Sequence, residues 1–338
     1  MKKKIALILA CLMVTTIFTV GCGKEEVKFD SMATFDGKKI DYDLVKFMAS
    51  YQQAKTEKNL KESLGEGLWS VDYMADGVTL LDSVKDELME KLQSMLVLEA
   101  HIKDYKVSIS DVEKKKIEIS AQEFMDNNSA ELIKKTGASK EVIQRYLELY
   151  TIYYKMYTEI GKGADSTVEA ADIKQKKISY VVFSYYTGKT KADGTKEKLS
   201  NKDIALLSTK AKEVREKAIA DFEGTMKTEN MEIKTKNYGN SVEDIAGLDD
   251  QLIRAAERLS QEGDISGLVE GADGYYIVRL DKLNDEEASA AKKEEILNER
   301  KETFYQAELK KLIEKHEFII NTKAWNTIQF EDPLTTKE

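Results

Sequence analysis

Proline is almost absent from this chain: one, Pro333, stands among 338 residues. Long helices are therefore free of the kink or break that proline imposes. Histidine is nearly as scarce. His101 and His316 are the only two, which excludes multi-histidine metal sites and leaves little scope for imidazole acid–base chemistry. Each reads alone as a partly exposed helix residue, since neither has a nucleophile or metal partner near it in sequence. There are two cysteines, Cys11 and Cys22, both in the first 22 residues. Beyond them no disulfide, thiolate zinc site or thiol nucleophile can form. No P-loop, dinucleotide fingerprint or HExxH sequence is present. No excess of positive charge exists either. The net charge is −9, so the basic footprint that phosphate contacts require is missing and nucleic acid is excluded as a partner.

The apolar run from Ile5 to Val20 follows Lys2, Lys3 and Lys4 and ends at Gly21-Cys22. It falls short of the ~20 residues that span a bilayer comfortably. A basic start, a short apolar core and a small residue at the end make a secretory leader. The ending Thr19-Val20-Gly21-Cys22 resembles the bacterial lipobox, although Thr19 stands where leucine is commoner. That resemblance implies cleavage before Cys22, lipid on its thiol, and an extracytoplasmic protein held at the membrane by the lipid. An ordinary signal peptide or an uncleaved anchor is the plainer reading.

What the sequence does contain is a soluble, helix-rich composition, 42% hydrophobic and 33% charged. Residues 23–30 form a short charged tether. Asp36-Gly37 marks a turn between two strand-like pieces, and Asp41 caps a helix from Tyr42. Helical spacing predicts a helix over 80–105. Ser110-Asp111-Val112-Glu113 is a capping-box pattern, so another helix starts there. Gly137 marks a break before a helix over 140–160, whose tyrosine stripe reads as packing surface. Gly161-Lys162-Gly163 reads as a linker. The pattern then changes: a strand over 178–185, a polar loop over 187–198, a helix over 200–222, and a strand over 231–238. A helix through Leu248, Leu252 and Leu259 follows, with strands over 265–269 and 275–280. The chain becomes helical again over 286–316. Phe318-Ile319-Ile320 and 325–330 read as strands. An amphipathic helix needs something to bury against. The last helix is therefore expected to pack on the first helical region. The expected fold class is α+β: a helical domain built from both chain ends, 31–165 with 286–330, and an α/β domain inserted over 172–285.

Four stretches resemble the PrsA/SurA family of extracytoplasmic foldases. MATFDGKKIDYDLVKF is similar to the family's opening strand, turn and helix. HIKDYKVSISDVEKKKI is similar to its helix, linker and next helix. TGASKEVIQRYLEL resembles the glycine break before its last helix, and GDISGLVEGADGYYIVRLDK resembles the last two strands of a parvulin domain. The resemblance covers most of the chain beyond the leader, and the last stretch is the most specific. It implies a helical chaperone domain, an inserted parvulin-type (PpiC-like) prolyl isomerase domain, and unfolded or partly folded secreted polypeptides as partners. It implies no cofactor.

In that family two histidines on neighbouring strands share a hydrogen bond beside an apolar pocket for the proline ring, with an aspartate or cysteine nearby. Such a site lowers a rotational barrier of ~18–20 kcal/mol, mainly by favouring the twisted amide. Here Ser179-Tyr180-Val181-Val182 aligns with Ser-His-Ile-Leu, and Gly274-Tyr275-Tyr276-Ile277 with Gly-Tyr-His-Ile. Tyr180 and Tyr276 thus stand in both histidine positions. Two phenols can still share a hydrogen bond, but with an unperturbed pKa of ~10 they do not titrate near neutrality. Leu248 and Leu252 align with the family's pocket-helix Met and Phe. The acidic glycine-rich segment before that helix is shortened to about Tyr238-Gly239-Asn240. The expected function is a chaperone lipoprotein with a degenerate parvulin site. Rival readings are an active prolyl isomerase, a dimeric scaffold lipoprotein, and a solute-binding lipoprotein, whose alternating α/β lobes the helical first half lacks. A homodimer is compatible with the sequence.

Overall fold

The computed structural model describes residues 29–65, 67–72, 75–330 and 334. The leader and Cys22 lie outside them. In chain order the elements are β1 (Ala33–Phe35), β2 (Lys38–Ile40), α1 (Tyr42–Leu64), α2 (Leu80–Ala100), α3 (Asp111–Asn127), α4 (Ala130–Thr136) and α5 (Lys140–Ile160). Then come α6 (Ala170–Ile173), β3 (Lys176–Ser184), β4 (Tyr186–Thr190), β5 (Lys196–Lys198), α7 (Asn201–Ala218), α8 (Phe222–Thr228) and β6 (Lys234–Tyr238). The chain closes with α9 (Val242–Ile245), α10 (Asp250–Glu257), β7 (Val269–Glu270), β8 (Gly274–Lys282), α11 (Glu286–Ile313), β9 (Phe318–Ile320) and α12 (Thr322–Trp325). The fold is α+β. The described residues fall into two compact units, one of those up to residue 164 with those from 301 on, and one of residues 165–300. Helix α11 crosses that division. Among the described residues no helix is long and apolar enough to cross a membrane.

The first unit is mainly helical. Asp41 Oδ1 accepts from the N–H groups of Asp43 and Leu44 and starts α1. Helices α1, α2, α3 and α5 share one core with Tyr305, Leu309 and Leu312 of α11. Phe47 sits in it edge-on to Phe124 and Tyr146, at 5.5 and 5.7 Å. A buried aromatic of this kind contributes about 1.5–3 kcal/mol relative to exposure. Arg145 on α5 makes a two-pronged ion pair with Glu99 on α2, at 2.5 and 2.6 Å. The two chain ends meet in a three-stranded antiparallel sheet ordered β2-β1-β9.

Ser110 and Glu113 form the capping box of α3. Lys155 of α5 also reaches both Glu113 oxygens, at 3.0 and 2.8 Å. Burial raises this carboxyl's pKa, but hydrogen bonds from Lys155 and Ser110 outweigh it and hold the value at about 2. A depressed carboxylate contributes stability above its unfolded pKa and loses it as pH falls through the folded one. The contribution is therefore whole above about pH 4.5 and declines toward pH 2. Glu113→Gln should remove about 1 kcal/mol at pH 7, after discounting for solvent screening. The loss should shrink steadily below pH 4.5 to a small remainder at pH 2, as urea melts across that range would show.

Several local expectations are corrected. Helix α2 stops at Ala100, because His101 to Lys106 turn and Lys106 adopts φ 54°. Residues 161–163 are a tight 3-10 turn, with Gly161 and Gly163 pressed on Lys301 and Phe304 so closely that no Cβ fits. The 187–198 loop is a β4–β5 hairpin. The helix expected over 200–222 breaks after Ala218, and Asp221 caps α8 separately. Strand β6 begins at Lys234, and α11 ends at Ile313. Ile265 makes only a single bridge, to Arg279. Trp325 ends a short helix capped by Asn321, so 325–330 is not a strand.

Candidate functional site in the sheet of residues 165–300

The second unit is built on a four-stranded antiparallel sheet ordered β6-β3-β8-β7. Alternation along β3 and β8 divides its side chains between two faces. Val181, Phe183 and Ile277 face α7 and α8, packing with Val214, Phe222 and Met226. Ile178, Tyr276, Val278 and Leu280 face the other way, packing with Tyr238, Leu252 and Ala256, and Tyr180 lies against this second cluster.

The register places the two tyrosines. Tyr180 pairs with Val278 and Val182 with Tyr276. Tyr180 and Tyr276 are thus diagonal neighbours on one face, a geometry that keeps long side chains within reach. Their rings lie 6.4 Å apart and tilted by 55°. No hydrogen bond joins the two hydroxyls, so the phenol pair that the sequence allowed does not form. Burial raises both pKa values. For Tyr276 the negative charges of Asp249 and Asp273 add to burial and carry the value to about 12. Both groups are neutral phenols at physiological pH and cannot exchange protons there as imidazoles do.

The pocket-helix leucines separate. Leu252 is buried on α10 in the same cluster as Tyr276. Leu248 is half-buried in the turn before that helix, after Gly247 at φ 77°, and lies outside the cluster. Asp249, not Leu248, marks the helix start. Val182 and Val269 pair with Tyr276 across the neighbouring strands, and Ile253 packs against the same cluster; the sequence reading gave none of them a pocket role.

An acidic side chain does lie beside the second tyrosine, from an unexpected segment. Asp249 caps α10 by accepting from the Gln251 N–H at 2.8 Å. Its other oxygen accepts from the Ala272 N–H at 2.7 Å. A Cβ at Gly271 would sit 2.5 Å from both that carboxylate and the Tyr276 ring. Asp249, Gly271 and Tyr276 therefore form one close-packed group. The sequence signal was the Asp249-Asp250 pair, an N-cap pattern ahead of an apolar helix. The curtailed segment serves elsewhere: Tyr238 donates to Glu257 at 2.8 Å, and Asn240 to the Ala171 carbonyl at 3.3 Å.

The opposite face carries a polar cluster near the same strands. Ser179 donates to Asp281 at 2.6 Å, and Arg279 bridges Asp281 and Glu223 at 2.7 and 2.5 Å. An open cavity of about 460 Å³ is lined there by Lys177, Thr235, Arg279 and Lys282. Among the described residues no group of three or more histidine, cysteine or carboxylate side chains is arranged to hold a metal ion.

No family model matches the chain. The PrsA foldase proteins of two Clostridium botulinum type A strains are 26% identical to it over 270 residues, 75% of this chain and 75% of each relative. Among solved structures, the PrsA peptidylprolyl isomerase of Bacillus anthracis covers 66% of this chain at 19% identity and TM-score 0.25, with 96% of its own chain covered. A SurA-like chaperone of Campylobacter jejuni covers 86% at 14% identity and TM-score 0.27, with 99% of its own chain covered. At such scores whole-chain superposition is poor, and the relationship rests on the sequence match. Over three quarters of its length, then, the chain is similar to the PrsA foldases.

Proposed function

We propose that this chain is an extracytoplasmic chaperone of the foldase type, anchored by lipid on Cys22, with an inserted parvulin-like domain that has lost isomerase chemistry. The observation that carries the last clause is the Tyr180–Tyr276 pair. It fills both positions where the related family keeps histidines, without a hydrogen bond between the two hydroxyls. Client holding falls to the helical unit. Along α5, Tyr150, Tyr153 and Tyr157 are half-buried and Tyr154 is 46% exposed. Lys91 lies over Tyr150 at 5.3 Å, and Lys301 over Tyr157 at 4.7 Å. An aromatic surface with cations over its rings suits extended, partly apolar polypeptide, because aromatic side chains give large contact area and a polar handle. No cofactor is needed for holding.

The test is light scattering from an unfolded model protein diluted into buffer, with and without an equimolar amount of the mature chain. Aggregation should be delayed several-fold, and Tyr150→Ala with Tyr154→Ala should shorten the delay. An unchanged aggregation trace would refute the chaperone reading. The anchor has its own test. Stable attachment needs more than one acyl chain, so Cys22→Ser should abolish palmitate labelling and release the protein from membranes. Equal labelling of both forms would remove the lipoprotein claim.

A further inference from the structure

The helical unit brings the chain's only two histidines together across 215 positions. His101 is the residue at which α2 ends, and His316 lies in the turn between α11 and β9. Their Nε2 atoms are 3.0 Å apart. The outer nitrogen of each ring meets a carboxylate. His101 Nδ1 lies 2.6 Å from Asp104, and His316 Nδ1 lies 2.6 Å from Asp36. Asp36 occupies the β1–β2 turn at φ 48°. Its second oxygen accepts from the Glu317 N–H, and its own N–H donates to the Glu317 carbonyl, both at 2.9 Å. Phe35 stacks on His316 at 5.0 Å. Both imidazoles are mostly buried, with 16% and 14% of the side chain exposed.

This arrangement counts its own protons. An ionised carboxylate only accepts, so each Nδ1 facing one must carry its hydrogen. Both Nε2 atoms would then present lone pairs to each other at hydrogen-bonding distance. One further proton between them turns that repulsion into an N–H···N bond. The favoured state holds three ring protons and one positive charge between two carboxylates. With two ring protons, either the two Nε2 lone pairs oppose each other or one Nδ1 lone pair opposes its carboxylate; with four, two N–H groups oppose. Although two carboxylates adjoin the rings, no group of three or more histidine, cysteine or carboxylate side chains among the described residues is arranged to hold a metal ion. The geometry points to a one-proton clasp, Asp104–His101–His316–Asp36, that joins the α2 corner, the β1–β2 turn and the entry to β9, and makes the closure of the chain's two ends depend on pH.

The charged surroundings are mixed. Lys38 flanks Asp36 on the hairpin. Tyr105 follows Asp104, and Glu308 and Lys311 reach it from α11. The hydrogen bonds from His316 and from the Glu317 N–H hold the Asp36 carboxyl below its ordinary range, which keeps it an acceptor down to low pH. Imidazole is the side chain that changes charge between pH 5 and 8. Acidification adds the fourth ring proton and alkalinisation removes the third, so the clasp weakens on both sides of a middle window.

The measurement is nitrogen NMR of the untagged, histidine-labelled mature chain, where only two imidazoles report. In the middle window both Nδ1 atoms should be protonated, with one proton shared between the Nε2 atoms. The two rings should behave as a coupled pair, each responding to the proton carried by the other. In His101→Gln, His316 should collapse to a single step; should that variant not fold, His316→Gln read at His101 replaces it. The melting midpoint of the wild type should pass through a maximum with pH, a maximum lost in the double variant. Two rings that titrate independently in the wild type, unaffected by removal of the other, would overturn the clasp.

Discussion

Gly274→Val should lower the melting midpoint of the 165–300 unit by roughly 10 °C or more, while the transition of the helical unit stays in place. A Cβ at residue 274 would lie 2.3 Å from the Phe183 carbonyl oxygen, 2.9 Å from its carbon and 3.1 Å from Ser184 Cα. All three atoms are backbone of β3, the strand paired with β8 at this point. No rotamer change relieves such a contact; the strands must part. Next to this position the Tyr185 N–H bonds the Asp273 carbonyl, and the Gly271 N–H bonds the Gly274 carbonyl, each at 2.9 Å. Overpacking usually costs about 1–3 kcal/mol, and a clash with fixed backbone belongs at the top of that range. For a unit of this size each kcal/mol moves the midpoint by roughly 3–4 °C. The control is Gly267→Ala, where a Cβ meets nothing within 4 Å and little change is expected. Calorimetry of the full chain reads both units at once, since each has its own core. An unaltered upper and lower transition in Gly274→Val would show that the β3–β8 pairing tolerates a side chain there.

How much of this was legible in the sequence depended on whether the signal was local. Ser110, Ser139 and Asp41 announce helix starts, because the cap needs only residues within one turn. The structure begins α3, α5 and α1 immediately after those residues. Helix ends were less readable. Apolar spacing runs on through Ile102 and Tyr105, but those side chains pack on the same core from a turn, not a helix. The 325–330 segment alternates like a strand, yet Asn321 caps a short helix and Trp325 is buried at its end. Tertiary packing decided that case. The Asp249 carboxylate was hidden for a related reason. Its contact with the Ala272 N–H joins two loops, and only the sheet brings them together. The His101–His316 contact had no sequence signal at all, since 215 positions separate the partners.

The site's chemistry is open to a direct measurement. Wild-type turnover of short X-Pro peptides in a coupled-protease assay should stay near the uncatalysed rate. Removing positioned proton-transfer or hydrogen-bonding groups from a site typically costs roughly 10²–10⁴-fold, and here both expected imidazoles are gone. Tyr276, with its pKa near 12, stays neutral across the working range. Tyr180 is likewise pushed up by burial. Any residual rate should therefore be flat from pH 5 to 9, and Tyr276→Phe should leave it unchanged. Leu252, Ile253, Val182 and Val269 belong to the apolar cluster on this face, so on the proposed reading a proline peptide should bind without being turned over. Tyr180→His with Tyr276→His restores two shorter rings at diagonal positions on one face, where an aspartate already waits beside the second. A gain confined to that double variant would show a pocket that has lost only its polar core. Robust wild-type turnover abolished by Tyr276→Phe would show instead that a neutral phenol donor suffices to stabilise the twisted amide. The inserted unit would then be an isomerase working by hydrogen-bond donation, without any group that titrates near neutrality.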